Sequence, residues 1–168
     1  MLSPDAAALR ALALRPATTE DEPFLRRLFA TTRAFELALM PWNDQQKDAF
    51  ITMQFSAQRR QYASSYPNAE HSIILWGEAS IGRLLVDKGE REYTLVDIAL
   101  VADYQNRGIG TRLIRDLLRE AAAAGEPVRL HVSANGGALR LYERLGFYRI
   151  GGDTAYLEMI WVPSVPPS

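Results

Sequence analysis

Apolar residues recur along the chain with two different periods, and the switches between them divide it into elements. Leu12, Leu14, Pro16 and Ala17 predict a short first strand. Thr18 or Thr19 then stands where a helix is capped, with Glu20, Asp21 and Glu22 in the first turn, and this helix is expected to reach about Arg33. After the Pro41, Trp42, Asn43 break, Phe50, Met53, Phe55 and Ala57 form an imperfect helical stripe between Asp44 and Tyr62. Tyr66 and Pro67 close that region, and Ile73 to Trp76, Ile81 to Val86 and Tyr93 to Val101 then predict three strands parted by Gly77 and Gly89. Turns this short make an antiparallel meander.

The second half is more regular. Ile109, Leu113, Ile114, Leu117, Leu118 and Ala121 keep a helical period from Ile109 to Ala124, with Gly125 placed to stop it. Val128, Leu130 and Val132 alternate as a strand, and Ala138, Leu141, Tyr142 and Leu145 form another helical face. Strands at Phe147 to Ile150 and Ala155 to Val162 close the pattern. Without internal repeats or a low-complexity linker, this order predicts a single α/β domain around one mixed, mostly antiparallel sheet of about seven strands and about four helices. Its boundaries are set at 12–162, leaving an N-terminal extension at 1–11 and a Pro-rich, frayed tail at 163–168.

Composition narrows the chemistry. A chain of 168 residues supports one core but not two comfortable domains. Its net charge of -1 supplies no general field for nucleic acid. The absence of cysteine excludes disulfides, thiolate metal sites and any cysteine-bound acyl intermediate. No window approaches the ~20 apolar residues needed to cross a bilayer, and Met1 to Leu14 lacks the layout of an export signal. A cytoplasmic protein without membrane or nucleic-acid partners is expected. His71 and His131, the only histidines, both read as ordinary strand residues, so no metal is expected.

The run Asp103, Tyr104, Gln105, Asn106, Arg107, Gly108, Ile109, Gly110, Thr111 joins the best strand to the best helix. Glycine admits a ligand to the backbone, and the amides and partial positive charge of a helix start favour a phosphate or pyrophosphate. Arg107 and Thr111 add side-chain donors. A lone Gly-x-Gly is as readily a chain-reversing turn, so context decides. A dinucleotide fingerprint would want glycine or alanine where Leu113 stands, and the Gly-Lys pair of a P-loop is missing.

Gln105, Gly108 and Gly110 match the Gln/Arg-x-x-Gly-x-Gly/Ala motif of the Gcn5-related N-acetyltransferases, which the chain resembles. Asn135, Ala138, Leu141, Tyr142, Leu145, Gly146 and Phe147 are similar to a second stretch of that family, in the expected order. The layout from about residue 12 to 162 also resembles the family fold, in which strands four and five splay apart to admit the pantetheine arm. The resemblance implies that Gln105, Asn106, Arg107, Gly108, Ile109, Gly110 and Thr111 cradle the pyrophosphate of acetyl-coenzyme A, with Asn135, Ala138 and Tyr142 also on the coenzyme. It further implies that backbone donors at Leu100 and Val101 hold the thioester carbonyl, and that the Tyr142 phenol protonates the departing thiolate. Read by pattern alone, Tyr142 is a core residue.

An amine acceptor must lose a proton, and Asp97 on the strand before the loop is the first candidate base, with Glu36 second and Glu158 third. Phe35, Glu36, Trp42 and Tyr62 fall where the family shapes its acceptor site, whereas Phe50 and Met53 read as core. The implied activity is direct acetyl transfer from acetyl-coenzyme A to a primary amine of a small molecule or protein. A non-catalytic coenzyme A sensor and a structural interaction domain stay open beside it. Homodimerisation, acceptor identity and acyl length are left open by the sequence.

Overall fold

The computed structural model describes residues 11–164. The N-terminal extension read at 1–11 therefore lies outside the described residues except for Ala11, as does the tail at 163–168 except for Pro163 and Ser164. Seven strands form one sheet in the order β1-β2-β3-β4-β5-β7-β6. They are β1 (Leu12–Pro16), β2 (Glu70–Trp76), β3 (Ala79–Lys88), β4 (Tyr93–Leu100), β5 (Val128–Ser133), β6 (Tyr148–Gly152) and β7 (Tyr156–Trp161). The described helices are α1 (Glu22–Thr32), α2 (Ala34–Ala38), α3 (Asp44–Ser65), α4 (Ile109–Ala124) and α5 (Ala138–Arg144). Five helices stand where about four were expected. The extra one, α2, buries none of its residues, so it leaves no apolar period to detect.

The fold separates into two compact units, one of residues up to Leu84 with Ala99–Gln105, the other of Leu85–Ile98 with the chain from Asn106 onward. In the first, β1 pairs antiparallel with β2 from Leu12↔Trp76 to Pro16↔Ser72. Leu25 and Phe29 of α1, Ile51 and Phe55 of α3 and Ile73 of β2 form a buried cluster. Each such side chain, fully buried, contributes about 1.5–3 kcal/mol of hydrophobic stabilisation. The inward stripe of α3 is not the one expected. Met53 is 57% exposed, because Ile51, Phe55, Gln58 and Tyr62 fall on one face at 3.6 residues per turn and residue 53 falls on the other. The last two of these meet Arg83 of β3, whose guanidinium lies over the Tyr62 ring at 5.5 Å and donates to Gln58 Oε1 at 3.4 Å.

The entry to α1 is fixed by charge. Asp21 accepts two bonds from Arg15, at 2.8 and 2.7 Å, and one from the Thr18 amide at 2.8 Å. These donors hold its carboxyl well below the usual carboxylate range.

In the second unit, α4 begins after Gly108 and ends before Gly125, both left-handed at φ 81° and 72°. Its buried residues Ile109, Leu113, Ile114, Leu117, Leu118 and Ala121 are the predicted stripe without exception. Strand β5 pairs with β7 antiparallel from Val128↔Trp161 to Ser133↔Tyr156, and β6 pairs with β7. Arg129 of β5 joins Glu92 and Glu158 in an ion-paired triad.

Strands β4 and β5 pair in parallel. Their register runs from Tyr93↔Val128 to Leu95↔Leu130 and goes no further, although β4 continues through Asp97 and β5 to Ser133. Burial along β4 changes at the same place. Tyr93, Thr94 and Leu95 are buried, and every later residue of the strand is half-buried. This is the splay between strands four and five.

Two changes test these interactions. Asp21→Asn should lower the urea midpoint at neutral pH. A folded-state pKa below the unfolded value gives stability that is present above the unfolded pKa of about 3.9 and lost as pH falls below it, so variant and wild type should converge in acid. A constant difference from pH 7 to pH 2.5 would refute the assignment. In β3, a Cβ at Gly82 would stand 2.2 Å from the Ala99 carbonyl oxygen of β4. Backbone cannot yield as a side chain does, so Gly82→Ala should cost about 1–3 kcal/mol, measured by urea unfolding.

Candidate active site

The residues singled out from the sequence fall into both units. In the first, β4 ends in a turn, Ala102–Tyr104, stabilised by Tyr104 and Gln105 amides donating to Val101 and Ala102 carbonyls at 3.0 and 3.2 Å. Gln105 folds back, its Nε2 donating to the Leu100 carbonyl at 2.9 Å. Its side chain therefore shapes the end of β4. The Tyr104 ring packs on Trp76 of β2 at 5.8 Å, fixing the turn against that end of the strand.

The Val101 amide is engaged within the first unit. It donates to the Ile81 carbonyl at 2.8 Å, continuing the β3–β4 ladder one residue beyond β4. A thioester carbonyl would have to compete with that bond for this donor. Gly82, which sequence reasoning passed over, permits this close approach of the two backbones. Its signal was present, since an isolated glycine inside a strand pattern marks close backbone approach.

In the second unit, Asn106 and Gly108 both adopt positive φ, 59° and 81°, which turns the chain into α4. The first α-helical bond runs from the Arg112 amide to the Gly108 carbonyl at 3.0 Å, so the amides of Ile109, Gly110 and Thr111 belong to the first turn, where helix geometry supplies no partner. Asn106, Arg107 and Gly108 are exposed, Ile109 is buried beneath them and Gly110 and Thr111 are half-buried.

The two glycines have different physical origins. Gly108 is demanded by its left-handed backbone. Gly110 has no positive φ, and a Cβ there would meet no atom within 4 Å. Glycine is also poor inside a helix, by up to about 1 kcal/mol against alanine. Nothing in the fold requires it at 110. A group approaching the helix start would require it, and a pyrophosphate fits first-turn amides that point outward.

Tyr142 is buried on α5, its ring edge-on to Phe147 with centroids 5.5 Å apart. Burial first, and then the negative charge of Asp97, push its hydroxyl up to about 12. The Asp97 carboxylate thus acts on the Tyr142 hydroxyl within one unit. Asn135 and Ala138 are exposed at the entry to α5.

The other acidic candidates are occupied or solvated. Glu158 is held by Arg129, and Glu36 lies in solvent, 3.7 Å from Arg33. The residues expected at the acceptor site have different surroundings. Phe35 is 79% exposed on α2. Trp42 packs on Phe50 near the start of α3, with ring centroids 5.2 Å apart, whereas Tyr62 lies under Arg83 near its end. Twelve residues of helix from Phe50 to Tyr62 span about 18 Å, so Trp42 and Tyr62 stand near opposite ends of α3. Both His71 and His131 are strand residues, and no metal-binding cluster occurs among the described residues. Nor, among them, is any helix long and apolar enough to cross a membrane.

Comparison with known proteins agrees with this geometry. The N-alpha-acetyltransferase RimI of Mycobacterium tuberculosis is 40% identical over 98 residues, a stretch covering 56% of this chain and 58% of the relative. The structure superposes on PaiA N-acetyltransferase from Thermoplasma acidophilum in complex with coenzyme A with a TM-score of 0.68, at 15% identity over 90% of this chain and 98% of that one. The ribosomal-protein-S18-alanine N-acetyltransferase of Escherichia coli gives a TM-score of 0.63 at 21% identity, over 93% of this chain and 96% of that one. At such identities these two structures establish likeness of fold. The family model described as the acetyltransferase (GNAT) family matches residues 26–147, and the chain belongs to that family.

Proposed function

We propose that the protein transfers an acetyl group from acetyl-coenzyme A directly to a primary amine, and that Tyr142 and the start of α4 carry the reaction. The observation that carries this reading is Gly110, a helical glycine with open space at Cβ and no conformational need for it. First-turn amides of Ile109, Gly110 and Thr111 would hold the pyrophosphate, with Arg107 beside them. The half-buried length of β4 beyond Leu95 would take the pantetheine arm. RimI is named an N-alpha-acetyltransferase, so an α-amino group on a peptide or protein is the acceptor to try first.

In the reaction the amine nitrogen attacks the thioester carbonyl, the C–S bond breaks and sulfur leaves with the electron pair. Asp97 on β4 is proposed to accept the amine's proton, directly or through water. Tyr142 acts at the sulfur. A phenol at about 12 facing a thiol of about 8.5 is mismatched by about 3.5 units, or ~5 kcal/mol, against full proton transfer. Its role is therefore donation of a hydrogen bond to the developing thiolate while keeping its own proton. The proton that finally reaches sulfur is supplied by solvent or by the amine.

Two variants separate this reading from a structural one. Gly110→Val should keep the melting temperature within a degree or two while weakening coenzyme A binding at least about ten-fold, read from the ligand-induced rise in melting temperature. Equal affinity in the folded variant would remove the loop from coenzyme binding. Tyr142→Phe keeps the ring on Phe147 but deletes the hydroxyl, so turnover should fall by about ten-fold to a thousand-fold with coenzyme affinity unchanged. Steady-state thiol release across pH measures it. Because the phenol ionises near 12, wild type should show no alkaline limb at pH 8–10 that Tyr142→Phe abolishes, and finding one would make Tyr142 a true acid.

A further inference from the structure

A cavity of about 360 Å³ opens in the first unit, at the end of the β1–β2 ladder. Its position is given by the Ala17 amide, which donates to the His71 carbonyl at 2.9 Å, both residues lining the space. The opposite end of β2 is Trp76, which packs on Tyr104 of the turn before Gln105. Five residues of strand at about 3.3 Å each put roughly 16 Å between His71 and Trp76. Within this unit the cavity is therefore about 16 Å along β2 from the turn that leads into Gln105. Its volume lies at the small end of the ~300–1,000 Å³ typical of ligand pockets, which suits a compact molecule and not a coenzyme.

Its walls carry three kinds of chemistry. Leu25 and Phe55 give an apolar floor, continuous with the buried cluster of this unit. Thr18 and Thr19 offer hydroxyls. Glu22 and Arg59 contribute opposite charges, paired at 2.8 Å with side chains 51% and 53% exposed. An ion pair this exposed contributes about 0–1 kcal/mol, so exchange of its partners costs little. Arg59 does not depend on Glu22 for its place, because its guanidinium also lies over the Phe55 ring at 5.7 Å.

We propose that this cavity binds a small zwitterion, an α-amino acid with an apolar side chain, through residues that the proposed acetyl transfer does not use. The ligand carboxylate takes the planar fork of Arg59 with a threonine hydroxyl beside it, and the ammonium takes Glu22. One protein ion pair is replaced by two ligand pairs, while the apolar side chain lies on Leu25 and Phe55. A molecule with a single charge gains one pair and leaves the other wall charge without its partner, which is the basis of discrimination.

The experiment is calorimetric titration of L-phenylalanine into the full-length protein saturated with coenzyme A, where no acetyl group is present to be transferred. N-acetyl-L-phenylalanine, lacking the ammonium, and L-phenylalaninamide, lacking the carboxylate, serve as comparators. Saturable binding is expected for L-phenylalanine, weakened at least ten-fold in either comparator and in Arg59→Ala and Glu22→Gln. Coenzyme A affinity should be unchanged in both variants. The comparators act on the wild-type protein, so the inference stays testable if a variant folds poorly. Absence of saturable binding by L-phenylalanine, equal binding of a comparator, or full binding in both folded variants would overturn it. Because coenzyme A is titrated separately, failure here is distinguishable from failure of the acetyltransferase reading.

Discussion

A parallel ladder that stops after three residue pairs governs the rest of this molecule. In a continuous sheet an interior strand has its backbone groups satisfied on both edges, and burial follows. Strand β4 obeys this through Leu95 and then loses β5, so Val96, Asp97 and Ile98 have an edge that β5 does not serve. A backbone amide or carbonyl left unbonded in an apolar interior would cost about 1–3 kcal/mol, which keeps such positions in reach of water or ligand. Their half-burial records that requirement. Under the proposed reading the pantetheine arm, with amides of its own, meets this edge as an added strand would.

The glycines show which parts of such an arrangement a sequence can declare. Gly82 is fixed by the Ala99 carbonyl, Gly108 by a left-handed backbone and Gly110 by neither. All three are the same letter, and only three-dimensional surroundings distinguish a packing glycine from one kept clear for a ligand. The motif around Gly108 and Gly110 was legible because its spacing is local to one strand-to-helix turn. Gly82 was passed over because its reason lies on a neighbouring strand, 17 residues away in the chain.

Helices differ in the same way. The stripe of α4 was legible to the residue, since all six of its buried positions are apolar and nothing polar interrupts them. On α3 the inward face begins with Ile51 and Phe55 and continues with Gln58 and Tyr62, which answer the cation of Arg83, only 6% exposed. A search for apolar periodicity discards Gln58 and picks up Met53 from the wrong face. The need for Gln58 and Tyr62 arises on β3, so no property of the α3 sequence alone reveals it. Trp42 and Tyr62, both placed by resemblance in the acceptor region, stand apart along α3, since about 18 Å of helix separates Tyr62 from Phe50, the residue on which Trp42 packs.

The charge of Asp97 near Tyr142 would set two demands on the proposed chemistry that pull in opposite directions. A carboxylate near the phenol, together with burial, favours the neutral hydroxyl and equally disfavours a thiolate arriving beside it. A sulfur entering that environment has its own pKa raised by the same causes, which narrows the gap to the phenol as negative charge develops. Under the proposed reading the hydrogen bond from Tyr142 would therefore strengthen toward the transition state, where an interaction accelerates reaction, more than in the ground state, where it would only bind. Asp97 would, under the same reading, oppose the departing sulfur but favour the ammonium formed when a neutral amine attacks, and would take the proton that ammonium must lose. Its net contribution is favourable when attack and deprotonation limit the rate, and unfavourable when C–S cleavage does. One carboxylate thus ties the choice of limiting step to the basicity of the acceptor amine. A weakly basic amine spends less of its time protonated, and an α-amino group is less basic than a lysine side chain, at about 7.7–8.0 against 10.4.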